Sequence, residues 1–117
     1  AGDTEYRCVY VHNNHGTLTM QSAKIWISSN TPSTDTSVEI ALGSSAVNGT
    51  ETSVANENTA PSGPTFSAPA SEGAALSIGD IPAGQHKAVW IKRIVNTGAA
   101  AYNNDTATLT VKCDTAA

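Results

Sequence analysis

Ala107-Thr108-Leu109-Thr110-Val111-Lys112-Cys113 alternates strictly between apolar and polar side chains. Successive side chains of a β-strand point to opposite faces. Ala107, Leu109, Val111 and Cys113 therefore share one face, and Thr108, Thr110 and Lys112 the other. Such a strand has one buried face and one wet face, as in an antiparallel sheet that covers a core on a single side. The same reading extends to His86-Lys87-Ala88-Val89-Trp90-Ile91-Lys92-Arg93-Ile94-Val95, which follows the turn Ile81-Pro82-Ala83-Gly84, and to Ser37-Val38-Glu39-Ile40-Ala41-Leu42. Lys24-Ile25-Trp26-Ile27-Ser28 is a further strand, stopped by Asn30-Thr31-Pro32-Ser33, because proline fixes its own φ and restricts its neighbour. Near the start, Tyr6-Arg7-Cys8-Val9-Tyr10-Val11 with the turn Asn13-Asn14-His15-Gly16 reads as a hairpin that returns over Thr17 to Met20.

Between Gly43 and Ala83 the chain is rich in Gly, Ser, Ala, Asn and Pro, with Val54, Phe66, Leu76 and Ile78 as isolated apolar anchors. A structureless loop of that length is unusual in a compact domain, so short strands are expected near Thr52 and near Leu76. A second irregular stretch spans Asn96 to Asp105. With no amphipathic helix and no internal repeat, the pattern predicts an all-β fold. The expected architecture is an antiparallel, immunoglobulin-like β-sandwich of about seven to nine short strands, one domain over residues 1–117. The expected core is Val9, Val11, Ile25, Ile27, Ile40, Val89, Ile91, Leu109 and Val111.

Composition narrows the function. The chain is 39% hydrophobic but only 14% charged, with a net charge of −4, so it lacks the basic footprint of a nucleic-acid-binding protein. No apolar run approaches the ~18 residues of a membrane span, and the opening Ala1-Gly2-Asp3-Thr4 has no signal-peptide character. Cys8 and Cys113 lie near opposite ends. A bridge between them would staple the first strand to the last and stabilise the fold by about 4 kcal/mol; two separate small apolar side chains are the alternative.

Catalytic signals are weak. His12, His15 and His86 are the only imidazoles, and three histidines form a zinc site in some folds, but here two of them flank a polar turn, which suits solvated turn residues better. No serine lies in a Gly-x-Ser-x-Gly elbow, and Asp35 with Glu39 has little material around it to build a glycosidase cleft. The expectation is no catalytic residue, no metal and no cofactor. The sequons at Asn48 and Asn104 arise easily in a chain this rich in Asn and Thr.

The two tryptophans carry more information. With Ile25 and Ile27 inward, Trp26 points outward beside Lys24 and Ser28; with Val89 and Ile91 inward, Trp90 sits on the face of Lys92. Outward indoles serve contacts more often than packing, and Tyr10 joins Trp26 and Trp90 as a candidate interaction residue. The alternative is that segment 43–83 folds over one sheet and buries one or both indoles.

Glu5-Tyr6-Arg7-Cys8-Val9-Tyr10-Val11-His12-Asn13, together with Gly79-Asp80-Ile81-Pro82-Ala83-Gly84-Gln85-His86-Lys87-Ala88-Val89-Trp90-Ile91-Lys92-Arg93, resembles virion structural proteins of tailed bacteriophages. The resemblance implies a non-enzymatic particle component, such as a capsid decoration protein or an immunoglobulin-like appendage. Its partners would be other virion proteins, or copies of itself in an oligomer or lattice. Two other classes stay open: an extracellular carbohydrate-binding or adhesion module, with a glycan stacked on an exposed indole, and an extracellular filament subunit that donates a strand to its neighbour.

Overall fold

The computed structural model describes residues 3–31, 33–51, 56, 58–98 and 106–115. Six strands are formed among them: β1 (Thr4–His12), β2 (Met20–Ser29), β3 (Thr36–Leu42), β4 (Leu76–Ile81), β5 (His86–Val95) and β6 (Thr108–Thr115), with a single 3-10 turn at Glu72–Ala74. They build two antiparallel three-stranded sheets, β1-β5-β3 and β4-β2-β6, packed as a sandwich. The fold class is the one the alternation predicts. The strand expected near Leu76 is β4; the one expected near Thr52 lies outside the described residues.

The core between the sheets is aliphatic. Ala23, Ile25 and Ile27 of β2, Val38 and Ile40 of β3, Ile78 and Ile81 of β4 and Val89 of β5 are buried together, and Val11, Ile91, Leu109 and Cys113 pack against them half-buried. Strict alternation would not put both Ile78 and Ile81 inward. Gly79 between them has φ 90°, and Ser22 opposite has φ 52°, so a bulge resets the inward parity of both β4 and β2. The Asp80 carboxylate accepts the Ser22 N–H at 2.9 Å, which offsets part of the strain of that left-handed serine.

Two expectations are corrected, and one open pair of alternatives is resolved. First, β1 and β2 do not form a hairpin, for β1 pairs with β5 while β2 belongs to the other sheet. Asn13 is buried at the corner, and its amide donates to the carbonyls of Leu18 and Ile81 at 2.8 and 2.9 Å, so residues 13–19 cross between sheets instead of folding back. Second, Val9 and Val111 have inward parity but are 40% and 39% exposed, because β1 and β6 are edge strands with nothing packed over their inner faces at that point among the described residues. Of the two alternatives for Cys8 and Cys113, the structure has separate free thiols. Cys113 packs against the core between the sheets, whereas Cys8 shares the outer face of its sheet with Tyr6 and Tyr10, so their side chains lie on opposite sides of one sheet and no bridge forms.

The two lateral sides of the sandwich differ. On the β3 and β4 side the chain stitches the sheets together: Ile40 and Ser67 exchange backbone hydrogen bonds at 2.8 and 3.0 Å, and the Pro69 carbonyl then accepts from the Ile27 N–H at 2.7 Å. On the β1 and β6 side no described strand pairs with either edge.

Candidate functional site

The outer face of β1-β5-β3 is roofed by residues 43–51 and by Phe66. Trp90 lies under this roof, 3% exposed, so it is not the surface contact its parity suggested. Its outward direction holds, but the loop covers it. The Trp90 indole Nε1 donates to the Glu51 carboxylate at 2.7 Å. The same carboxylate accepts the Ser44 N–H at 2.9 Å, the Ser45 N–H at 3.0 Å and the Ser44 hydroxyl at 3.2 Å. A carboxylate this buried is tolerated because its oxygens are saturated by donors. Gly43 is a glycine for space: a Cβ there would stand 2.7 Å from Cβ of Ala88 and collide with the Glu51 carboxylate.

Tyr10, 44% exposed, is part of the same construction. Its hydroxyl accepts the Glu51 N–H at 3.2 Å and its ring stands edge-on to His86 at 4.6 Å. The His86 Nε2 donates to the Gly49 carbonyl at 3.0 Å, and the Lys87 ammonium donates to the Gly43 and Ser45 carbonyls. Burial, and then the negative Glu51, push the Cys8 thiol above its ordinary range, which leaves it protonated and a poor nucleophile at neutral pH.

The histidines do not converge. His12 and His86 are register partners, yet the His12 Nε2 lies 3.2 Å from the Gly84 carbonyl, while the His15 Nδ1 accepts the Thr17 and Leu18 N–H groups at 3.0 Å each. Among the described residues there is no group of three His, Cys, Asp or Glu placed to hold a metal ion.

Trp26 sits half-buried on the outer face of β4-β2-β6, the opposite side of the molecule from Trp90 and Tyr10. Its register partner is Thr110, whose hydroxyl donates to Ser28 at 2.8 Å. Lys24 and Lys112 both reach Glu72, at 3.6 and 3.1 Å. The hydrogen bond from Lys112, helped by both lysine charges, holds the Glu72 carboxyl below its usual range. This face is thus one indole in a ring of hydroxyls and paired charges.

The third feature, which parity reading did not find, is the open side. A cavity of about 410 Å³ enters between the sheets there, lined by Val38, Ile91 and Leu109 together with Glu5, Arg7 and Arg93. The signal was present in the sequence as Glu5-Tyr6-Arg7, two opposite charges of one parity on an otherwise apolar strand face. Comparison with known families, curated proteins and solved structures gives no match.

Proposed function

We infer that this chain is a non-enzymatic structural component of a tailed-bacteriophage particle, a decoration or appendage protein that acts by docking onto other virion proteins. The observation that carries the reading is the open side of the sandwich. One flank is stitched by Ser67 and Pro69, while the other leaves two edge strands unpaired among the described residues, with Val9 and Val111 exposed between them. Soluble β-proteins protect such edges unless they use them. Further support comes from the two stretches that resemble virion proteins. They fold as neighbours, since β1 pairs with β5 along its whole length and Asn13 joins the corner at Gly84 and Gln85.

The test is to purify particles from the source lysate and measure their polypeptides by quantitative mass spectrometry. Many copies of this chain per particle is the expected result, and absence from particles overturns the reading. A second reading, a glycan-binding module, is favoured by one observation: the half-buried Trp26 among the Ser28 and Thr110 hydroxyls. Quenching of indole fluorescence by soluble oligosaccharides, lost in Trp26→Ala, would favour it instead.

A further inference from the structure

We propose that residues 43–51 are an acid-released cover over Trp90, held shut by the ionised Glu51 carboxylate and let go when that carboxylate takes up a proton, while the sandwich beneath stays folded. The device belongs to the free chain and does not depend on the assembly reading. Glu51 is 7% exposed. Its Oε2 accepts the Trp90 indole N–H at 2.7 Å and the Ser44 N–H at 2.9 Å, and its Oε1 accepts the Ser45 N–H at 3.0 Å and the Ser44 hydroxyl at 3.2 Å. Hydrogen bonds to a charged acceptor are roughly twice as strong as neutral ones, so the charge on Glu51 sets the strength of all four.

A proton fits badly into this arrangement. An N–H group cannot turn round and accept, so three of the four donors would face a neutral acid, and the Ser44 hydroxyl alone can reverse its bond. Nor can the carboxyl slide aside: a Cβ on Gly43 would stand 2.4 Å from Oε2, so the group is pressed against the backbone just after β3. Protonation therefore weakens the ties from Glu51 to Ser44, Ser45 and Trp90 together. Their contribution is full where Glu51 is ionised and is lost as the pH falls through its titration.

The other titratable groups around the cover do not respond to acid in this way. From β1, the Cys8 thiol feels the Glu51 charge and the Tyr10 hydroxyl accepts the Glu51 N–H; from β5, the Lys87 ammonium holds the Gly43 and Ser45 carbonyls. These three already carry their protons at neutral pH. His86, also on β5, gains one on acidification, yet as an imidazolium it goes on donating from Nε2 to the Gly49 carbonyl. From β3, Ala41 is uncharged, and Glu39 further along the same face is a half-exposed partner of Lys92 at 3.6 Å. Between the sheets the buried cluster is wholly aliphatic, so acid finds nothing to protonate there among the described residues. Release of the cover is thereby separable from loss of the fold.

The test uses tryptophan fluorescence. The chain has two tryptophans, so Trp26→Phe leaves Trp90 as the sole reporter. Its emission and its quenching by acrylamide are followed from neutral pH to about pH 3, with far-UV circular dichroism recorded on the same samples. The expected result is a red shift and stronger quenching of Trp90 while the strand signal is unchanged. Adding Glu51→Gln keeps the shape and removes the charge; Trp90 should then be open to quencher already at neutral pH, with a flat profile on acidification. Glu72→Gln, on the opposite face, should leave the Trp90 transition where it was, and this control keeps the test decisive even where Glu51→Gln fails to fold. Trp90 that stays shielded until the strand signal itself is lost overturns the proposal. So does a transition that survives Glu51→Gln unchanged, or one that disappears with Glu72→Gln.

Discussion

Glu51 is the residue on which the roof over the first sheet turns, since its carboxylate gathers donors from Trp90, Ser44 and Ser45. Replacing it by alanine strands those N–H groups without an acceptor in a buried place. Glu51→Ala should therefore lose about 2–4 kcal/mol in chemical denaturation; an unchanged midpoint would show that the loop does not need the carboxylate. Trp26 is the contrasting residue. It stands on an outer face among polar neighbours, so Trp26→Ala should leave the melting temperature within a few degrees of wild type, and under the glycan-binding reading it should abolish oligosaccharide binding, because interface aromatics commonly contribute about 2 kcal/mol or more. Unchanged oligosaccharide binding by the variant would remove Trp26 from any glycan site. The directions of both indoles were legible from Ile25-Trp26-Ile27 and Val89-Trp90-Ile91. The cover over Trp90 was not, because it depends on Glu51, 39 residues earlier in a Gly/Ser-rich segment with no periodicity.

At the level of strands, β5 and β3 fall almost where alternation puts them, since hydrophobic period 2 is a local property and both strands keep it. What alternation could not supply is pairing. The polar turn after β1 has hairpin composition, yet Asn13 spends its side chain on Leu18 and Ile81 and sends the chain to the other sheet. Edge position was equally illegible, and it explains why Val9 and Val111 differ from Ile40 despite the same parity. The consequence is a gradient of cost within the core. Ile40→Ala, at a fully buried site, should lose about 2–5 kcal/mol, whereas Ile91→Ala, beside the cavity on the open side, should lose only about 1–2 kcal/mol. Equal losses in urea titrations would mean that the open side is as well packed as the stitched one.

Among the described residues the sandwich is asymmetric: one flank is closed by the chain itself and the other ends in the β1 edge above a cavity lined by both aliphatic and charged side chains. That asymmetry links the fold to assembly, and it makes a residue-specific forecast. Residue-resolved amide hydrogen exchange along β1, measured on the free chain and on purified particles, reads it directly. In the free chain the Arg7 and Val9 amides, bonded to β5, should be protected while those of Tyr6 and Cys8 exchange freely. Incorporation into the particle should protect Tyr6 and Cys8. Exchange at Tyr6 and Cys8 that stays as fast in particles as in the free chain would contradict assembly through this edge.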